Sequence, residues 1–245
     1  MPIGHAFIEL ETVDSTNNYA MAKATSGQAG HGTIYFARHQ WAGKGQRGRE
    51  WTSKPGENII LSAVLEPVAF APSKAFHLSA AVALACDDLF ARYAGAAMTR
   101  IKWPNDLYWN DRKAGGILIE NKLRGERWAY AIVGIGINVN QTVFPDTVSN
   151  PVSLRQITGR AADPMQLARE LAVCLEHRFT QLQSNPDAIF ASYNLRLYGL
   201  GREVTLRAGE QVLRTVVTGV SADGKLLTRD SEDRSFSFGD VEWII

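Results

Sequence analysis

Around Leu200 the pattern of the sequence changes, and this change limits the architectures open to the chain. Before it, β-branched and aromatic segments are mixed with long Ala/Leu-rich segments, without the regular strand–helix–strand alternation of a parallel α/β fold. After it, short alternating segments are separated by turns such as Asp223-Gly224. We therefore predict an α+β sheet domain over residues 1–198, followed by a small all-β, barrel-like domain over residues 199–245.

Hydrophobic periodicity and turn residues locate the individual elements. Strands of the first domain are predicted at 33–37, 58–65, 99–103, 116–120, 128–133 and 135–139. Helices are predicted to start after the capping residues 14–17 and to cover 73–93, 168–182 and 186–197. Strands of the second domain are predicted at 203–206, 212–220, 225–228 and 235–238.

The charge and cysteine content exclude several classes of protein. The 26 Lys and Arg residues nearly balance the 25 Asp and Glu residues, whereas a protein that coats DNA or a membrane surface is usually more basic. No signal peptide or transmembrane run is recognisable, and the two cysteines, Cys86 and Cys174, lie in apolar helix-like runs. We expect a cytoplasmic protein with no DNA and no membrane partner, in which any anion site is local.

One such local site is the glycine-rich loop Gly43–Gly48. It satisfies the dinucleotide-binding pattern G-x-G-x-x-G, but breakers and a further strand follow it where that fold needs a helix. Residues 38–54 contain five basic residues and one acidic residue, and two tryptophans flank the loop. A solvated turn is the simple alternative. Trp41 and Trp51 favour a loop that closes over a phosphate ligand bearing a ring.

A second cluster lies at 102–106 and 111–117. A hairpin between these segments would bring Asp106 close to Lys113, either as a surface ion pair or as part of a dry site that stabilises developing negative charge. The segment 134–138, Gly-Ile-Gly-Ile-Asn, indicates close approach of a ligand or of another chain segment. Asn138 can offer both a donor and an acceptor to a base edge.

Taken in order, these segments resemble the biotin protein ligases. The family pattern is matched by Asp14-Ser15-Thr16-Asn17 and by the segments 40–51, 102–107, 113–120 and 134–138, so the resemblance spans about residues 12–140. It implies a mixed β-sheet catalytic domain flanked by helices, of the class II synthetase-like, biotin–lipoyl ligase type. The C-terminal module then corresponds to the small SH3-like β-barrel of that family.

The resemblance also implies a reaction. Biotin and ATP form biotinyl-5′-AMP and pyrophosphate with Mg²⁺, and a lysine of a biotin carboxyl carrier protein then attacks the adenylate. The expected acceptor is the carrier domain of acetyl-CoA carboxylase or of a related biotin-dependent carboxylase. No tightly bound prosthetic group is expected, and the chain is expected to be a monomer or a homodimer.

Site residues follow from the matched positions. The biotin site is expected to comprise Ser15, Thr16, Asn17, Gln40, Lys44, Gly45, Gln46, Lys113 and Gly116. The ATP and adenylate site is expected to comprise Gly43, Lys44, Gly45, Gln46, Arg47, Arg49, Trp51 and Asn138. Catalytic roles are expected for Lys113, Lys44, Asp106 and Arg47, with Asp106 close to the metal or to the incoming amine.

The chain departs from the family in its loop. The family commonly has arginine where this chain has Lys44 and Gln46, so Lys44 loses the bidentate fork and Gln46 loses the charge. The family's DNA-binding helix-turn-helix, which some members carry, is expected to be missing, because the Asp14–Asn17 segment starts so early. We therefore expect a ligase that does not repress transcription.

Three other functions stay open at this point. A lipoate or octanoate ligase or transferase shares the architecture, but an octanoyl transferase needs an acyl-carrying cysteine. A non-catalytic biotin or nucleotide sensor is compatible with the change at Gln46. A nucleic-acid-binding module would use the basic loop, although the balanced charge argues against it.

Overall fold

A computed structural model of the chain describes residues 1–67, 70–125, 127–146 and 148–244. Its larger sheet contains β1 (Ala6–Val13), β2 (Thr33–Gln40), β3 (Asn58–Leu65), β4 (Thr99–Lys102), β5 (Asp106–Trp109), β6 (Arg112–Arg124) and β7 (Arg127–Asn138). The strand order is β1-β2-β3-β7-β6-β5-β4. The β1–β2 pair is parallel and the other pairs are antiparallel, so the sheet is mixed as expected.

The helices are α1 (Thr16–Thr25), α2 (Ala75–Ala94), α3 (Leu154–Thr158), α4 (Pro164–Ser184) and α5 (Pro186–Leu195). Helices α2 and α4 pack in the main core with one face of the sheet, and α1 packs against the other face. All eight residues of β3 are buried because both faces of this central strand are covered, which explains its nearly continuous apolar sequence. Within the described residues, no helix is long and apolar enough to cross a membrane.

A second sheet follows α5. Its strands are β8 (Glu203–Ala208), β9 (Gln211–Val220), β10 (Leu226–Arg229), β11 (Asp233–Phe236) and β12 (Glu242–Ile244), all antiparallel, in the order β11-β10-β9-β8-β12. Its apolar residues join the core cluster of the first sheet, and Trp103 Nε1 donates to the carbonyl of Gly224 at 2.9 Å. The expected α+β architecture is confirmed, while the division at residues 198 and 199 remains a prediction within the α5–β8 connection.

Several element predictions need correction. The predicted strands 128–133 and 135–139 are one continuous strand, β7, because Gly134 leaves room for a neighbouring side chain instead of ending the strand. Strand β6 is longer than the predicted 116–120. The elements β1, β5, α3 and β12 were not predicted, since β1 is a half-exposed edge strand and the other three have at most five residues.

A buried ion pair fixes the strand that leads into the site. Arg196 donates to both carboxylate oxygens of Asp87 on α2, at 2.7 and 3.0 Å, and to the carbonyl of Thr99 on β4 at 2.8 Å. Burial raises the pKa of Asp87, and Arg196 acts against that rise. Removing one partner of such a pair typically costs about 3–5 kcal/mol. The pair thereby holds α2, β4 and the end of α5 together next to Lys102.

Candidate active site

A cavity of about 1050 Å³ opens between the first sheet, the loop after β2 and strand β12 of the second sheet. Of the site residues predicted from the sequence, all except Gly43 line it. Gly43 is buried, and a Cβ at that position would overlap the carbonyl of Trp51 and the side chain of Gln40. The expected ligand contact at Gly43 stays a prediction, and in the structure its glycine allows close packing of the loop.

Buried hydroxyl and amide groups form one end of the cavity. Gln40 Oε1 accepts from the backbone N–H of Thr16 at 3.1 Å, and Ser62 Oγ lies 2.8 Å from Thr16 Oγ1 and 2.6 Å from Asn17 Oδ1. Asn17 Nδ2 donates to Glu120 Oε2 at 2.8 Å. Ser15 precedes α1, is almost fully buried and makes no side-chain capping bond.

Ser62 and Glu120 were not among the predicted site residues. Ser62 carries the one hydroxyl group in the mostly apolar strand β3, and this exception to the pattern could have identified it from the sequence. Glu120 is the last residue of the matched segment 113–120. Its Oε1 lies 3.7 Å from Lys44 Nζ, so it connects this polar end to the basic loop.

The basic loop is a small hairpin. Lys44 pairs with Glu50, Gly45 N donates to the carbonyl of Arg49 at 2.7 Å, and Trp51 N donates to the carbonyl of Gly43 at 2.9 Å. The turn is made at Arg47 and Gly48, which have φ values of 57° and 75°. The motif contains only a three-residue 3-10 turn, Gln46–Gly48, and no α-helix starts in it, so the exclusion of a dinucleotide-binding fold is confirmed.

Trp51 lies against two glycines of the sheet. A Cβ at Gly136 would overlap the Trp51 indole, and one at Gly116 would lie 3.3 Å from Trp51 Cζ3. The indole therefore rests on bare backbone between β6 and β7. Its Nε1 is buried and has no hydrogen-bond partner among the described residues, which leaves a donor inside the site.

Asp106 and Lys113 meet as the predicted hairpin requires. Lys113 Nζ lies 2.6 Å from Asp106 Oδ1, across the bulged pairing of β5 with β6. The Lys113 backbone bonds to the carbonyl of Asn150 and to the N–H of Val152, at 2.8 and 2.9 Å, which anchors the start of β6. The two side chains are about a quarter exposed or less, so an anion in the cavity can still reach the ammonium group.

Lys102 is a further cation of the cavity that the sequence reasoning did not place in the site. Its Nζ donates to Tyr108 Oη at 3.3 Å and lies over the rings of Tyr108 and Trp243, 4.8 and 5.6 Å from their centroids. The pKa of Lys102 is lowered to about 8, mainly by burial; Asp106 acts against this fall, and Lys113 and Arg49 contribute to it. Burial also raises the pKa of Tyr108.

Asn138 lines the cavity, but its side-chain N–H donors are already hydrogen-bonded within the protein. Its Nδ2 donates to the carbonyl of Val152 at 3.1 Å and, more weakly, to that of Lys113 at 3.4 Å. A role at a base edge is therefore limited to its Oδ1, which can accept a hydrogen bond.

The described residues contain no group of three His, Cys, Asp or Glu side chains that could hold a metal ion. Asp106 is bonded to Lys113, whose positive charge disfavours a second cation on the same carboxylate. A single carboxylate together with ligand phosphates is nevertheless a common way to hold Mg²⁺.

Comparison with known sequences gives two matches along the chain. The model of the Biotin/lipoate A/B protein ligase family matches residues 9–138, and that of the Biotin protein ligase C terminal domain matches residues 199–243. A biotin–[acetyl-CoA-carboxylase] ligase of Paracoccus denitrificans is 34% identical over 233 residues, which cover 92% of this chain and 95% of the relative. The bifunctional ligase/repressor BirA of Bacillus subtilis is 30% identical over 94% of this chain and 71% of its own length.

Comparison with solved structures agrees with these matches. A biotin protein ligase from Aquifex aeolicus, solved in complex with biotin and ATP, superposes with a TM-score of 0.80 at 25% identity. The match covers 98% of this chain and 99% of that one, so it includes both sheets.

Proposed function

The chain belongs to the biotin/lipoate A/B protein ligase family, and from this premise we propose how its residues attach biotin to a biotin carboxyl carrier protein. The enzyme is a biotin–[acetyl-CoA-carboxylase] ligase that consumes ATP and passes through biotinyl-5′-AMP. The roles of individual residues below are our proposals.

In the first step a carboxylate oxygen of biotin attacks the α-phosphorus of ATP, and the bond to the β-phosphate breaks to release pyrophosphate. Three cations of the cavity, Lys113, Lys44 and Lys102, reduce the repulsion between the two anions and stabilise the charge that develops. Lys113 is assigned the carboxylate and α-phosphate, because its backbone is anchored to Asn150 and Val152 and its ammonium group is held by Asp106.

In the second step the neutral ε-amine of the carrier lysine attacks the acyl carbon of the adenylate. An amide bond forms, the bond from that carbon to the phosphate oxygen breaks, and AMP departs. The hairpin loop with Arg47 and Arg49 covers the adenylate and keeps water from the labile anhydride. Trp51, on its two glycines, offers an aromatic face and an indole N–H to the nucleotide.

The buried polar end of the cavity is the observation that supports biotin as the substrate. A ureido ring presents two N–H donors and one carbonyl acceptor in a compact plane. Ser15, Thr16, Asn17 and Gln40 supply hydroxyl and amide groups of both kinds there, and the fully buried Ser62 bonds to Thr16 and Asn17 from behind. Burying an octanoyl or lipoyl chain there would strip water from those donors and acceptors that are not already bonded within the protein, at about 1–3 kcal/mol each.

The positions of the two cysteines argue against an octanoyl transferase. Cys86 and Cys174 are both buried in helices of the core and do not line the cavity. Burial raises the pKa of both thiols, which makes neither of them a ready nucleophile.

Further assignments complete the proposal. Mg²⁺ enters with the phosphates of ATP, where it would supply charge neutralisation, and Asp106 is its protein ligand if one is used. The acceptor is the carrier domain of acetyl-CoA carboxylase, as the names of the relatives indicate, and the reaction is expected in the cytoplasm. We retain the prediction of a monomer or homodimer that acts without DNA, a membrane or a prosthetic group.

Exchange of labelled pyrophosphate into ATP tests the proposed function. The purified protein should catalyse exchange with biotin and Mg²⁺, and should show none with lipoate or octanoate. Exchange with lipoate or octanoate alone would mean that the substrate is wrong. Biotin binding without exchange would mean that the chain is a sensor and not a ligase.

A further inference from the structure

A second, smaller cleft adjoins the reaction cavity. It has a volume of about 280 Å³, against about 1050 Å³ for the larger one. The two share five lining residues: Gln46, Pro104, Asn105, Ile117 and Phe238. They therefore meet next to the Asp106–Lys113 pair, and the smaller cleft is a separate approach to the reacting atoms.

The walls of this cleft combine apolar and polar side chains. Phe76, Ile119 and the shared Phe238 are apolar, whereas Ser79, Asn105, Asn121 and Ser237 are polar. The β9–β10 turn bounds the cleft, and there Phe76 packs against Gly224 while Asp223 and Lys225 form an exposed ion pair at 3.4 Å. A mixed lining of this kind suits a side chain with an aliphatic stem and a polar tip.

Gln46 stands at the junction with an unused acceptor. Its Oε1 is buried and has no hydrogen-bond partner among the described residues. A buried acceptor of this kind calls for an N–H donor from a ligand. The family commonly has arginine at this position, and an arginine would offer donors and a positive charge where this chain offers neither.

We propose that the smaller cleft is the route by which the carrier lysine reaches the adenylate, and that Gln46 Oε1 accepts a hydrogen bond from its ε-amine. The inference rests on the proposed ligase function and adds the acceptor's path to it. Entry into the cleft, past Phe76, Ile119 and Phe238, removes part of the water around the incoming ammonium group, which lowers the pKa of the lysine and favours the neutral nucleophile. One proton is lost to water on entry and a second when the amide forms and AMP leaves.

A substitution that narrows the smaller cleft should slow transfer to the carrier lysine without slowing adenylate formation, and so it tests the route by itself. Asn121 is exposed and lines only the smaller cleft, so Asn121→Trp obstructs the route without touching the larger cavity. We expect biotin-dependent pyrophosphate exchange to stay within about twofold of wild type. Transfer from preformed biotinyl-5′-AMP to a carrier domain should fall about tenfold to 100-fold in single turnover.

The matched control is Lys122→Trp, which adds the same side chain at the next position of β6. Lys122 is exposed, points to the opposite face of the strand and lines neither cavity. It should leave both half-reactions close to wild type, and the thermal melting of both variants checks their folding. Equal transfer by Asn121→Trp and wild type would overturn the route, whereas absent exchange in wild type would instead overturn the proposed function.

Gln46 is tested as a positioning residue in the transfer step alone. With biotinyl-5′-AMP supplied at saturation, Gln46→Met should lower transfer about tenfold, because the amine loses its acceptor. Gln46→Glu retains an acceptor oxygen, so it should restore transfer and shift the pH profile of that step. Normal transfer by Gln46→Met, or equal losses in both variants, would contradict this role.

Discussion

At the residue scale, Lys102 shows how the surroundings set the behaviour of a side chain. The aromatic rings of Tyr108 and Trp243 hold its ammonium group close to the place where we propose that phosphates bind. Burial lowers the pKa of Lys102 to about 8. This group is therefore mostly protonated at neutral pH and loses its charge within a readily measured range.

We expect this titration to appear in the binding of ATP. A protonated Lys102 attracts the phosphates, so the dissociation constant for ATP should rise as the pH increases above about 8. Lys102→Arg keeps the charge at all these pH values and should flatten the rise, as isothermal titration calorimetry between pH 7 and 9.5 can show. Lys122→Arg is the control and should retain the wild-type profile. An unchanged alkaline rise in Lys102→Arg would contradict this account.

The sequence predicted which residues line the cavity better than it predicted what those residues contact. The motifs located fourteen of the fifteen predicted site residues on the cavity, from Ser15 to Asn138. They do not include Ser62, and they include Lys102 without giving it a role, because the roles of both depend on neighbours that are distant in the sequence. Gly43 is predicted to contact the ligand, and in the structure it packs tightly within the loop; a sequence pattern does not distinguish these two uses of glycine.

At the element scale, the loop between β2 and β3 is held closed by the second sheet. The Arg47 guanidinium lies 5.9 Å from the centroid of the Phe238 ring, and Phe238 meets the edge of Trp103 at 6.4 Å between ring centroids. Trp103 in turn donates a hydrogen bond to the carbonyl of Gly224. The closed loop is therefore held by an aromatic contact between the first domain and the second sheet.

Removing this contact should loosen the loop. An exposed cation–π contact contributes about 0.5–1 kcal/mol, so Phe238→Ala should speed tryptic cleavage after Arg47 or Arg49 about two- to fivefold. Limited proteolysis followed by mass spectrometry of the fragments measures this rate. Val212→Ala changes an exposed residue of the same sheet away from the cavity and should cleave like wild type. Identical rates in all three proteins would show that Phe238 does not restrain the loop.

Strand predictions succeeded where local pattern decides the structure and failed where packing does. Strand β3 was predicted with its full extent because its apolar run is bounded by turn residues. Strand β7 was split at Gly134, since glycine is a common break in a strand. In the structure Gly134 and Gly136 continue the strand and make room for Asn17 and Trp51, a requirement that comes from other elements.

At the scale of the whole molecule, the reaction cavity belongs to both sheets. Strand β12 contributes Glu242 and Trp243 to it, and the preceding residues Phe238 and Gly239 contact the basic loop. No site residue beyond Asn138 could be predicted, because the packing of a short C-terminal strand against a distant loop leaves no local signal. We therefore propose that the small β module shapes the site and orients Lys102.

The central claim is that this cavity forms an adenylate from biotin and ATP through Lys113. Its most direct test is biotin-dependent pyrophosphate exchange by wild type, Lys113→Ala and Lys122→Ala, the last being an exposed lysine of the same strand. We predict exchange in wild type and Lys122→Ala and a loss of about 100- to 1000-fold in Lys113→Ala, the usual effect of removing one stabiliser of developing charge. Undiminished exchange by Lys113→Ala would contradict the account.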